Sequence, residues 1–376
     1  MSVHELALQR AKYKHLSDEE WRWFLQQVEG RERTADKLPT FASIPDWWYP
    51  VRLSCEQCSS ELTAKYKAQI INHKSEIING RFVDLTAGYG VDTYFLSEHF
   101  EHTDYVEQNP ELCRIAEHNF ANKHISIHNT TAEAFLASAE QYDLIFLDPA
   151  RRDSHGGKVF RLEDCTPNVI ELLPELLKHS RRLLLKLSPM LDITQAIKEL
   201  SAVNWDIHVV AIKNEVKEVL LLSRDHESTD SRDHIITCID LAEPEKAFVF
   251  TRQEEQEAKI EKWENEKIGK YLYEPNAAIL KAGAYKLVAQ RFGLTKLDVN
   301  THLYASNTLM DNFPGRVWKI TNDKLQITNA NIVCRNYPLT PEQLKKKLHL
   351  HDGGTAFVIG CRVAGKPTLF YAERLS

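Results

Sequence analysis

The chain of 376 residues contains no apolar run approaching the roughly 20 residues that a membrane helix needs, so no part of it is expected to span a membrane. Its opening residues, Met1-Ser-Val-His-Glu-Leu6, lack a basic segment followed by an apolar stretch, and a cytoplasmic protein is the expectation. Glycine and proline number only 14 each, too few for a linker-rich assembly. There is no dense cysteine framework either: the seven cysteines are scattered through a long chain, as expected of reduced thiols. Cys55-Glu-Gln-Cys58 is the one CxxC, and neither a second CxxC nor a nearby HxxxH supplies the two further ligands of a zinc site, so no metal is expected. Internal repeats and low-complexity segments are also missing.

What is present is a composition of 43% hydrophobic residues, enough for two or three globular domains. The formal net charge of −6 is unevenly spread. Residues 268–376 hold 15 Lys/Arg against 7 Asp/Glu, a net of +8, which leaves −14 for residues 1–267. Such segregation suits a basic half that meets a polyanion, and equally two halves that attract each other.

Residues 1–78 read as an N-terminal helical region. Asp18-Glu-Glu-Trp21-Arg-Trp23-Phe24 sets aromatics at helical spacing behind an acidic first turn, and Glu61–Ile78 carries apolar residues at Leu62, Tyr66, Ile70 and Ile71. Between them, Pro39, Pro45, Pro50 and Trp47-Trp48-Tyr49 mark an irregular connector whose aromatics belong to a core more readily than to a base-stacking platform. Residues 79–226 alternate short β-type runs with helical patterns, the mark of a parallel sheet covered by helices. The strands are expected at Phe82–Leu85, Thr103–Glu107, His124–His128, Leu144–Leu147 and Arg182–Leu187, followed by an antiparallel hairpin of Ile207–Ile212 and Val216–Ser223. Residues 227–268, with the charged helical stretch Gln253–Trp263, read as a connector. Residues 269–376 read as a basic α+β unit, helical over about Asn276–Phe292 and then β-like at Val317–Ile320, Leu325–Thr328, Ala356–Ile359 and Leu369–Tyr371.

The chemistry gathers at the ends of the expected strands. Val83-Asp84-Leu-Thr-Ala-Gly88-Tyr-Gly90-Val-Asp92 is a strand, a glycine turn and a helix start, where a ligand can lie against bare backbone and Asp84 can hold an ammonium group. Glu107 ends the next strand, where a carboxylate accepts both hydroxyls of a ribose, whichever cofactor carries it. Thr131-Ala132-Glu133 is placed either to flank an adenine ring or simply to cap a helix. The fourth strand ends in Asp148-Pro149-Ala150-Arg151-Arg152, with a carboxylate and a carbonyl able to orient the N–H groups of an amine. The closing hairpin separates this pattern from dinucleotide dehydrogenases, which continue with parallel units.

On these residues, 81–224 resemble the Rossmann-like class I S-adenosylmethionine (SAM) dependent methyltransferases: Asp84, Gly88 and Gly90 match the first motif, Glu107 the ribose position and Asp148-Pro149 the fourth motif. The resemblance implies a sheet of seven strands with the last antiparallel, SAM as cofactor, and a cofactor-binding set of Asp84, Thr86, Gly88, Gly90, Glu107, Ala132 and Asp148. Asp148, Pro149 and Arg151 would form the catalytic set. Amino-methylating members carry Tyr, Phe or Trp after Asp/Asn-Pro-Pro, whereas this chain has Ala150-Arg151, whose guanidinium plane can stack on a base or grip a phosphate. Uracil C5 methylation needs a cysteine after the fifth strand, where Ser188-Pro189-Met190 stand instead; Cys165 is expected to be a buried thiol.

A narrower resemblance rests on Tyr273-Glu-Pro-Asn-Ala-Ala-Ile279, Phe313-Pro-Gly-Arg-Val-Trp318, Lys186-Leu-Ser-Pro-Met190 and Lys213-Asn-Glu-Val-Lys-Glu218, which look like bacterial methyltransferases with a C-terminal THUMP-like domain. THUMP domains accompany RNA-modifying enzymes, usually ahead of the catalytic domain rather than behind it as here. This implies N-methylation of a base in structured RNA, with Arg152, Arg316, Lys319, Lys345, Lys346 and Lys347 contacting RNA, joined by Arg335 and Arg362 on a phosphate-tracking face. A small-molecule methyltransferase and a catalytically silent SAM- and RNA-binding adaptor are the alternatives.

Overall fold

The computed structural model describes residues 3–72, 80–151, 161–224, 233–260, 269–321 and 327–375, leaving aside the side chains of Asn72 and Arg151. Arg152, the far end of the helix expected to reach Ile78, the first half of Leu325–Thr328 and the end of Gln253–Trp263 lie outside these residues. The chain divides into two compact units, residues 1–205 with 220–230 and residues 206–219 with 231–376. Among the described residues no helix is long and apolar enough to cross a membrane.

In the first unit, α1 (Asp18–Thr34) starts at a capping box in which Ser17 and Glu20 each satisfy the other's free backbone N–H. The expected second helix is α2 (Glu61–Asn72). The aromatic connector between them is packed, not splayed. Trp47 and Tyr49 are buried, and Trp48 stacks on His118 with centroids 3.8 Å apart. Gly30 of α1 lies so close to Tyr49 that an added Cβ would fall 2.3 Å from the tyrosine Cβ.

The sheet of this unit has β1 (Arg81–Asp84), β2 (His102–Glu107), β3 (Ile125–Asn129), β4 (Tyr142–Leu147), β5 (Ser180–Leu187) and the end of a strand spanning Glu215–Ser223. β1 pairs in parallel with β2 and β4, β2 with β3, and β4 with β5. Leu183, Leu184 and Leu185 are all fully buried, so β5 is covered on both faces, which is why it reads as a continuous apolar run rather than an alternation. The helices α3 (Val91–Leu96), α4 (Pro110–Asn119) and α5 (Ala132–Leu136) follow β1, β2 and β3.

In the second unit, β6 (Trp205–Ile212) turns into β7 (Glu215–Ser223) through Lys213-Asn214 alone. Both turn residues have positive φ, 51° and 64°, as a type I′ hairpin requires, and the Asp240 carboxylate accepts both of their N–H groups at 2.9 and 2.6 Å. β8 (Ile235–Asp240) pairs in parallel with β6, and β9 (Phe248–Thr251) pairs antiparallel with β8. The stretch expected as a connector therefore contains sheet. Its alternation was hidden because Ile236, Cys238 and Ile239 are buried together near the β6 edge.

A separate seven-stranded sheet holds the remainder: β10 (Tyr271–Pro275), β11 (Thr295–Asp298), β12 (Thr301–Ser306), β13 (Gly315–Thr321), β14 (Asn331–Arg335), β15 (Ala356–Val363) and β16 (Lys366–Arg374). Its order is β11-β12-β10-β13-β16-β15-β14. The helix expected over Asn276–Phe292 is two, Ala277–Ala282 and Tyr285–Arg291, because Gly283 adopts φ 82° and ends the first.

Candidate cofactor and acceptor site

The ends of β1, β2 and β4 open onto a cleft of about 300 Å³ lined by the glycine turn, Glu107, the start of α5, Asp148 and Lys186. This is the carboxyl edge of the parallel strands, where open α/β sheets bind ligands.

The glycine turn takes its shape from backbone demands. Gly88 and Gly90 have φ 57° and 79°, conformations that cost other residues energy, and a Cβ on Gly90 would lie 2.7 Å from the Phe120 ring. The Tyr105 hydroxyl donates to the Gly88 carbonyl at 2.5 Å. Glu107 is oriented from the same turn: the Gly88 N–H donates to its Oε2 at 3.0 Å and the Asn109 N–H to its Oε1 at 2.8 Å. Thr131 caps α5 through the Ala134 N–H while Ala132 and Glu133 line the cleft, so the capping role and a place at the pocket wall coexist.

Asp84 is fully buried. Its carboxylate accepts from Thr93 Oγ1 at 2.6 Å and from the Thr86 N–H at 3.1 Å, yet burial still pushes its pKa up to about 8. Thr86 also accepts the Asp148 N–H on its hydroxyl at 2.7 Å, which ties the end of β4 to the glycine turn. Asp148 stands half-exposed at the cleft mouth with Oδ2 2.5 Å from Lys186 Nζ. Beyond Pro149, Ala150–Arg151 form a two-residue antiparallel ribbon with Cys165–Thr166, and Thr166 and Pro167 help line the cleft. Pro149 is half-buried and not part of the lining. Cys165 is buried, and burial raises its thiol pKa.

Several residues of the cleft carried no assigned role in the sequence. Ser54, Gln57, Cys58 and Ser59 bring the N-terminal region into the wall. Asp92, at the start of α3, accepts from Ser59 Oγ at 2.6 Å and sits 3.1 Å from Lys67 Nζ and 3.9 Å from Lys186 Nζ. It is buried, but Lys67 and then Lys186 overcome that penalty and hold its pKa below the usual aspartate range. The available signal is the lysine that interrupts the apolar run Leu183-Leu-Leu-Lys-Leu187 at the end of β5.

The residues expected to touch RNA do not form one uniform face. Arg316 and Arg335 both converge on Glu274, itself 2% exposed, Arg316 at 3.4 Å. Lys345 pairs with Asp352 at 2.6 Å, whereas Lys346, Lys347 and Lys319 are exposed. Lys345, Lys346 and Lys347 occupy the last turn of the helix Pro341–Leu348, where successive side chains point about 100° apart and cations also favour the helix C-terminus.

The strand order β3-β2-β1-β4-β5-β7 in the first unit, with β6 beside β7 in the second, is that of a class I SAM-dependent methyltransferase. Comparison with known proteins makes the assignment specific. A solved structure, described as a candidate methyltransferase from Porphyromonas gingivalis W83, shares 33% identity and a TM-score of 0.84 over 96% of this chain and 92% of that one. Two uncharacterized S-adenosylmethionine-dependent methyltransferases, from two strains of Mycobacterium tuberculosis, are each 22% identical over 91% of this chain and 92% of their own length. Family models for a ferredoxin-like domain and a THUMP-like domain match residues 271–314 and 313–374. The chain belongs to the family of SAM-dependent methyltransferases with a C-terminal THUMP-like domain. The expected single C-terminal unit thus carries two family matches.

Proposed function

We propose that this methyltransferase N-methylates a base in structured RNA. The observation that carries the reading is Asp148, half-exposed at the cleft mouth with one carboxylate oxygen engaged by Lys186, which leaves the other to receive an acceptor N–H. Apart from the buried Asp84, which keeps its proton up to about pH 8, the cleft is lined by four acidic side chains, Asp92, Glu107, Glu133 and Asp148, against one cation, Lys186, among the described residues. That balance suits a cationic sulfonium cofactor and opposes a pyrophosphate.

When bound, SAM supplies an electrophilic methyl: the acceptor nitrogen's lone pair forms the new C–N bond as the S–C bond breaks onto sulfur. Glu107 would hold the ribose hydroxyls, the glycine turn and Asp84 the methionyl end, and Ala132 with its neighbours the adenine. Asp148 and the Pro149 carbonyl orient the acceptor and offset the positive charge that grows on its nitrogen, whose excess proton leaves to water at the mouth. Arg151 and Arg152, next in the sequence, are the proposed contacts to base or phosphate. The basic C-terminal half and its THUMP-like match support RNA, with Lys319, Lys346 and Lys347 as the exposed cations and Arg316 and Lys345 held by local carboxylates.

That local pairing favours a second reading, a small-molecule acceptor. Labelled methyl offered as SAM to RNA from cells lacking the protein, and in parallel to their metabolites, separates the two. Label in RNA supports the proposal; label in metabolites alone ends it.

A further inference from the structure

Four buried or half-buried charges run in alternating sign through the floor of the cleft. Lys67 of α2, wholly buried, lies 3.1 Å from Asp92; Asp92 lies 3.9 Å from Lys186; Lys186 lies 2.5 Å from Asp148. Ser59 donates to Asp92 at 2.6 Å. Each ion has an opposite neighbour, the condition under which buried charge is tolerated. The chain begins on the N-terminal helical region, passes the start of α3 and ends on the residue assigned to the acceptor.

We infer that Lys186 is the positioning residue for Asp148, and that Asp92, fixed by Ser59 and Lys67, sets where the Lys186 ammonium stands. This rests on the reading of Asp148 as the carboxylate that orients the acceptor. An aspartate half-exposed at a cleft mouth can occupy several rotamers, and the small Ala150 two residues on has no ring to confine an acceptor against it. The ammonium pins Oδ2 and so aims Oδ1 at an N–H donor. Lys186 is the penultimate residue of β5, between the buried Leu185 and Leu187, and its side chain is only 14% exposed, so its stem is held by packing. The N-terminal region then belongs to the active site: its role is to hold the far end of this charge chain.

The test compares wild type, Lys186→Met, Lys186→Arg, Asp148→Asn and the double variant Lys186→Met/Asp148→Asn. SAM affinity is read by calorimetry and the transfer rate by single turnover at saturating SAM, with RNA from cells lacking the protein. Lys186→Met should slow transfer about 50-fold with SAM affinity within about threefold, and Lys186→Arg should recover most of the rate. The double variant should be no slower than the slower single, because both remove one interaction. A wild-type rate in Lys186→Met, losses that multiply in the double variant, or lost SAM affinity with the rate retained would each overturn the inference. A second readout needs no acceptor. In 15N-lysine protein the Lys186 ammonium signal, assigned by its loss in Lys186→Met or by its shift in Lys186-neighbour variants should that protein not fold, must move or broaden in Asp148→Asn. An unchanged signal overturns the pairing. If wild-type protein moves no methyl to RNA, the acceptor class falls, and the ammonium signal still decides the role of Lys186.

Discussion

The cleft of the first unit and the basic surface of the second use charge in opposite ways. In the cleft, Lys67, Asp92, Lys186 and Asp148 are buried or half-buried and fixed at distances of 2.5 to 3.9 Å, so each charge has one orientation to act from. In the second unit, Lys319, Lys346 and Lys347 are exposed to solvent that screens them, while Arg316, Arg335 and Lys345 are tied to carboxylates. Fixed charges suit a directional chemical step, and exposed ones suit summed attraction to a polyanion. Substitutions in the two regions should therefore differ in kind as well as in size.

The largest effect is expected at Asp148. Asp148→Ala should lower the transfer rate by roughly a thousandfold or more, since it removes both the acceptor's partner and one partner of Lys186, while SAM affinity stays within about a few fold. Rate at saturating SAM against calorimetric affinity gives the answer. An equal loss in both would place Asp148 on the cofactor instead. Glu107→Ala should show the reverse pattern, SAM binding weaker by roughly 10- to 100-fold with most of the rate recovered at saturation. Because the Gly88 N–H donates to Glu107, a lowered melting temperature without a change in affinity would make that carboxylate a brace for the turn and nothing more.

Next comes a pH effect confined to the cleft. Asp84 has its pKa raised by burial to about 8, so the native protein keeps a proton there that the unfolded chain releases near its ordinary aspartate value. The stability from this group is complete below the unfolded pKa and is lost as pH rises through about 8. Cofactor-free protein should melt at progressively lower temperature from pH 6 to pH 8.5 by this contribution, and Asp84→Asn should remove it. A cation bound against Asp84 favours the ionised form, so SAM affinity should climb over the same range by at most about tenfold per pH unit. Affinity that falls with rising pH would remove Asp84 from the methionyl end.

The contrast between the regions also shows what could be read in advance. Asp84, the glycine turn, Glu107 and Asp148 were legible because each sits at a strand end or turn that local pattern identifies. Ser59, Lys67, Asp92 and Lys186 were not assigned a role because their meaning lies in contacts between distant parts of the chain. In the fold, β1 to β7 were legible from apolar runs and the Lys213-Asn214 turn. β8 and β9 lie in the stretch that reads as a connector, and β10, β11 and β12 show no clear period of two: Glu274 is buried within β10, and β11 and β12 carry Lys296 and Thr301 as buried polar residues, which blurs the alternation. Partnered polar residues inside a sheet erase the period-two signal on which such a reading depends.

The smallest effect is expected at the exposed cations, and it bears most directly on RNA. Lys346→Ala/Lys347→Ala removes two charges from the end of the helix Pro341–Leu348 without touching a buried partner, so folding should be nearly unchanged. If these side chains track phosphates, RNA affinity should fall only about three- to tenfold, and the slope of log affinity against log salt should flatten by up to about 2. Lys345→Ala, whose ammonium is already paired with Asp352, should flatten it less. Fluorescence anisotropy with the same RNA at several salt concentrations measures both quantities. Equal slopes for wild type and the double variant would show that the lysine run serves the helix terminus, and the case for RNA would then rest on the remaining basic residues of the second unit.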